Sequence, residues 1–176
     1  MGVPVVGSRS MRLQNAANSL SNSATFHKLV GVNSQSAALP FIMVDWLGDI
    51  DLDSDFLTFP RALVRHAGPQ LANREGTDTF LGQGQMLIFV QYTFPSDAQL
   101  AAWYSISGPF TETDQRQHMN NLFGSISDDL YQLATTPGCL EYQRLEEFSC
   151  GFTDPITENG QQIVELVYIL HREALP

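Results

Sequence analysis

Residues 82–95, GQGQMLIFVQYTFP, decide how this chain folds. From Met86 onward the pattern has a period of two: Met86, Ile88, Val90, Tyr92 and Phe94 fall on one side of an extended strand, Leu87, Phe89, Gln91 and Thr93 on the other. The first side is apolar throughout and the second only at one end, so the spacing predicts a sheet covered fully on one face and partly on the other. Gly82 and Gly84 form half of a dinucleotide fingerprint, but that motif works between a strand and a helix, and here it leads into a strand. It reads as a loop or bulge.

Working outward, FPRALVRHAG (59–68) holds a short strand between Pro60 and Gly68, and ALPFIMVDW (38–46) is a short run of apolar, branched and aromatic residues typical of a buried strand. Toward the C-terminus, LEYQRLEEFSCGFT (140–153) and QQIVELVYILHRE (161–173) flank the turn residues of DPITENG and read as a hairpin. In its last strand Val164, Leu166, Tyr168 and Leu170 oppose Ile163, Val167 and Ile169, so both sides are apolar and the strand belongs inside the sheet. A helix opens at Thr111, whose spacing to Asp114 matches a capping box with Asp in place of Glu. Met119, Leu122, Phe123, Ile126, Leu130 and Leu133 keep one apolar stripe along it until Pro137 and Gly138. At the other end of the chain, residues 9–31 space Leu13, Ala16, Ala17, Leu20, Ala24 and Leu29 as one helix capped by Gly31. Residues 95–111 read as an irregular insertion loop, a length more often functional or partner-binding than idle. The expected class is α+β: a mostly antiparallel sheet of four to six strands with two helices packed on one face, in a single domain spanning 1–176.

Nine basic residues face nineteen acidic ones, for a formal net charge of -10, which excludes the basic footprint of a nucleic-acid or anionic-membrane binder. Charged residues are only 16% of the chain, below the roughly 25% usual for globular proteins. Such a surface suits cover by partners. Cys139 and Cys150 are too few for a disulfide framework and lack metal-binding spacing, so both read as reduced packing residues. The first residues lack a basic segment followed by an apolar one, no secretory signal is expected, and no stretch approaches the roughly 20 apolar residues of a membrane span.

The most conspicuous chemistry is GDIDLDSDFL (48–57), with Asp49, Asp51, Asp53 and Asp55 on alternate positions. An EF-hand loop begun at Asp49 would need Gly at its sixth position and Glu at its twelfth, but Ser54 and Pro60 stand there. Strict alternation also spreads the carboxylates along one side of a strand, about 6–7 Å apart, instead of converging them on an ion or a buried acid/base pair. They read as a solvated strand edge or loop, with a functional negative rim as the alternative. His27, His66, His118 and His171 show no metal-ligand spacing, and His118, beside Met119, reads as packed at the helix boundary. No GxSxG elbow occurs, and neither catalytic residues nor a metal or cofactor are expected. Trp103, Tyr104 and Phe110 either fold back on the core or anchor an interface.

The order of these elements resembles the tail terminator, or tail completion, proteins of long-tailed bacteriophages. The resemblance rests on SLSNSATFHKLVG, on FPRALVRHAG before GQGQMLIFVQYTF, on the helix HMNNLFGSISDDLYQLATTPG and on the closing QQIVELVYILHRE, and it covers nearly the whole chain. It implies a structural virion protein, made in a host cytoplasm, that forms a ring, a hexamer by analogy, at the head-proximal end of the tail. Its implied partners are copies of itself, the tail tube protein and the head-tail connector or stopper protein. Genomic DNA would pass through without specific binding, with Asp49, Asp51, Asp53 and Asp55 lining or bordering the channel, since phosphate-binding cations would make the passage sticky. Trp103, Tyr104 and Phe110 would be interface residues. The insertion at 95–111 and the aspartate stretch depart from the family's usual pattern. Alternatives are another neck or connector protein, or a small-ligand-binding or hydrolytic α+β domain.

Overall fold

The computed structural model describes residues 8–47, 50, 58–66, 85–140, 142, 144–152 and 163–171. Helices α1 (Ser8–Ser21), α2 (Ala24–Val30) and α3 (Gln35–Ala38) precede a 3-10 turn (Leu39–Phe41) and strands β1 (Ile42–Asp45), β2 (Arg61–His66) and β3 (Gln85–Thr93). Helices α4 (Asp97–Tyr104) and α5 (Glu112–Leu133) follow, and β4 (Arg144–Phe152) and β5 (Ile163–His171) end the described chain. The strands form one sheet in the order β1-β2-β3-β5-β4, parallel between β1 and β2 and antiparallel elsewhere. The protein is thus an α+β domain with a mostly antiparallel sheet. As the two-sided apolar pattern implied, β5 is an interior strand, between β3 and β4.

Two helices cover one face, each over half of it. Leu13, Ala16, Ala17 and Leu20 of α1 pack against Ile42, Ala62, Val64, Met86, Ile88 and Val90, and the two alanines let the helix approach closely. Met119, Leu122, Phe123, Ile126 and Leu130 of α5 lie over Leu166, Tyr168 and Leu170. The capping box inferred at Thr111 is present: its hydroxyl accepts from Asp114 N, and the Asp114 carboxylate accepts from Thr111 N at 2.7 Å. Those bonds hold the Asp114 carboxyl below its ordinary pKa.

The N-terminal segment departs from the single helix expected of it. Ser23 is extended and caps a second helix, its hydroxyl accepting from Phe26 N at 3.0 Å. The same hydroxyl donates to Asp129 Oδ2 of α5 at 2.7 Å, and Thr25 N donates to that oxygen at 2.8 Å. A carboxylate on another helix therefore fixes the corner, while Ser and Asn offer the local backbone an alternative to helix. A second correction concerns residues 95–111, where the irregular loop contains α4. Its capping box is Ser96 with Gln99. No helix among the described residues is long and apolar enough to cross a membrane.

The opposite sheet face carries side chains in register. Arg61, Gln91 and Glu165 form a row in which Arg61 Nε donates to Gln91 Oε1 (2.7 Å) and Gln91 Nε2 donates to Glu165 Oε2 (2.6 Å). An apolar row of Met43, Leu63, Phe89 and Val167 follows. Beyond it Arg65 pairs with Asp45 (2.7 Å), and His171 bridges Gln85 and Glu146. Leu63, Ile163, Val167 and Ile169 are buried on this face while Leu87 and Phe89 are half-buried, the partial cover expected from sequence.

Candidate functional site

The described surface is indented where α2, α4, α5 and the end of β3 meet, in a cleft of about 260 Å³. Each wall follows from a local feature. Helix α2 ends at Gly31, whose φ of 74° supplies the left-handed cap, and this places Lys28 in the last turn, where a cation complements the helix dipole. Lys28 Nζ donates to the Trp103 carbonyl at 2.8 Å and lies 4.4 Å from the centre of the Trp103 ring. Helix α4 ends one residue past Tyr104, at Ser105 with φ 58°, so Gln99, Ala102 and Trp103 turn toward the cleft. Tyr92 and Thr93 at the end of β3 and Pro95 just after it supply the floor, and Leu29 and Pro60 complete the apolar wall.

His118 comes from the second turn of α5 and is only 4% exposed. One ring nitrogen, Nδ1, meets the Tyr104 hydroxyl at 3.0 Å, and the Trp103 ring packs edge-on at 5.1 Å. Nε2 has no hydrogen-bond partner among the described residues, and the ring lines the cleft. Burial, and secondarily the Lys28 charge, lower the His118 pKa below 6.5, so the imidazole is neutral at pH 7. The unfolded chain then binds more protons than the native one below that value, and stability present above about pH 6.5 declines as pH falls toward the native pKa. We expect the urea midpoint to drop more between pH 7.5 and 5.5 in the wild type than in His118→Asn. Equal drops would show that His118 does not supply the slope.

The cleft gathers residues that sequence reasoning treated apart. Trp103 is half-buried against the core, the folded-back alternative, while Tyr104 is 40% exposed with its hydroxyl tied to His118. Phe110 is half-buried and lies over Gly108, where an added Cβ would meet its ring at 3.1 Å. His118 is packed as expected, but more deeply than at a boundary. Lys28 was missed; its position one turn ahead of a C-capping glycine was the available signal. Asp49, Asp51, Asp53 and Asp55 lie outside the described residues; Ile50, between the first two, gives its carbonyl to Arg65 at 2.8 Å. Cys139 is buried and unbridged, and the Cys150 side chain lies outside the description. Among the described residues no three His, Cys, Asp or Glu side chains gather as a metal site. No protein-family model matches the chain, and no curated protein matches it.

Proposed function

We propose that this chain is a structural subunit that closes into a ring of its own copies, as a tail terminator does at the head-proximal end of a phage tail. One observation carries the reading: among the described strands, both sheet edges present large exposed apolar side chains. Beyond β1 stand Trp46, 43% exposed, and Leu47, 84% exposed, and on β4 stands Phe148, 63% exposed. The two edges lie at opposite ends of the sheet and differ in sequence. A contact between them is head-to-tail, and such contacts close into rings when the rotation allows. The bulge between Glu147 and Ser149 interrupts the β4 ladder, so the edge is suited to side-chain contact and poorly suited to strand addition.

The order of helix, strands, helix and hairpin supports a tail terminator, and the net charge of -10 suits a passage through which DNA slides without sticking. The tail tube protein and the head-tail connector or stopper are the partners this reading assigns. The exposed Tyr104 and Ile106 at the end of α4 are available to them or to a neighbouring copy.

Light scattering on a sizing column should show a concentration-dependent oligomer, a hexamer by analogy. Leu47→Lys and Phe148→Lys should each give monomers, because each spoils one edge. Mixed together, the two variants should pair as heterodimers through their intact edges. A wild type that stays monomeric at high concentration overturns the reading, as does a dimer indifferent to both substitutions.

A further inference from the structure

We propose that the cleft between α2, α4 and α5 binds a small organic acid, a carboxylate on a flat apolar body. This stands apart from the ring, since none of the edge residues lines the cleft. Its volume of about 260 Å³ falls just short of the range of about 300–1,000 Å³ that drug-sized ligands fill, so the occupant is a smaller molecule.

Lys28, Gln99 and His118 bring hydrogen-bond donors to the cleft, which Tyr92 and Thr93 also line. Lys28 Nζ uses one of its three hydrogens on the Trp103 carbonyl. Gln99 spends its amide oxygen on Ser96 N at 2.9 Å, which leaves its NH2 to donate. His118 is the deepest. Its buried ring carries one hydrogen, and the Tyr104 phenol, the better donor, satisfies Nδ1 at 3.0 Å, which places the ring hydrogen on Nε2. Facing the cleft, this N–H can donate to an acceptor bound there. A carboxylate offers two oxygens to such a set, and Trp103, Leu29, Pro60 and Pro95 offer carbon surface to the rest of the ligand. The acid finds its cation at Lys28 although the whole chain is strongly negative.

The test uses the full chain carrying Trp46→Phe, so that fluorescence reports Trp103 alone, titrated with phenylacetate, phenylacetamide and phenethylamine. Phenylacetate should saturate the signal below about 10 mM, and the amide and the amine should bind at least about tenfold more weakly. Lys28→Met should weaken phenylacetate about tenfold as well, Lys28→Arg should retain it, and far-UV circular dichroism should show each variant folded. The His118 ring protons should shift on binding in NMR spectra. Absence of saturation overturns the proposal, as does equal binding of the three probes or phenylacetate binding unchanged in Lys28→Met. Because the comparison of probes uses no cleft variant, it stands even if a substitution unfolds the chain.

Discussion

Gln91→Leu is expected to destabilise the domain by about 3 kcal/mol, an unusually large effect for removing one uncharged amide. The amide lies in register between Arg61 and Glu165 and hands one to the other: it accepts from Arg61 Nε at 2.7 Å and donates to Glu165 Oε2 at 2.6 Å. Arg61 and Gln91 are 4% and 3% exposed, so water cannot replace the lost partner at the guanidinium. Leucine fills similar volume, hence the transfer gain is small, and the cost is that of taking one close acceptor from a buried charge and one donor from Glu165. The guanidinium also lies 4.5 Å from the Phe59 ring, a contact the variant keeps. At this chain length the loss should lower Tm by roughly 6–12 °C. Urea unfolding with an unchanged slope would measure it. The triple variant Arg61→Met, Gln91→Leu, Glu165→Leu should regain most of the stability, because an apolar row replaces a polar one with no orphaned group. A single variant within about 0.5 kcal/mol of wild type would show that water reaches the row and that the chain of bonds contributes little.

The same row explains which parts of the fold were legible in the sequence. Gln91 lies next to apolar residues in the β3 sequence and was correctly placed on the strand's less apolar face, because a period of two assigns faces without knowing partners. Helix α5 was legible for the equivalent reason: its stripe from Met119 to Leu130 is long, regular and bounded by a cap and a proline. The N-terminal break was not, since helical spacing runs on from Leu20 to Ala24 and the residue that selects the corner, Asp129, is distant in sequence. Helix α4 was missed because three of its residues are alanines and Leu100 alone is fully buried, so it has almost no apolar contrast; Ser96 and Gln99 at capping-box spacing were the signal. The cleft was the least legible part. Lys28, Trp103 and His118 come from three helices, and nothing in their spacing marks them as neighbours. The acidic run at 49–55, conspicuous in sequence, owed its prominence to local repetition, which says nothing of tertiary position.

Tyr168→Ala should cost about 4 kcal/mol, whereas Tyr168→Phe should cost about 1 kcal/mol, and the difference tells what seats α5 on the sheet. Tyr168 is fully buried on the interior strand β5, its ring 5.0 Å from that of Phe123, and its hydroxyl donates to the Phe123 carbonyl at 2.9 Å. Removing the hydroxyl alone does not orphan the Phe123 carbonyl, which in mid-helix still accepts the backbone bond from Ser127 N that α-helix geometry provides. Removing the ring opens a cavity beneath Phe123 and Ile126 where the helix cannot settle without moving, and cavity costs of this kind dominate. The consequence reaches the cleft, since α5 also carries His118. Phenylacetate binding should be kept in Tyr168→Phe and weakened in Tyr168→Ala even under conditions where that variant remains folded. Equal losses of stability in the two variants would assign the seating of α5 to the hydrogen bond and reduce the ring to filler.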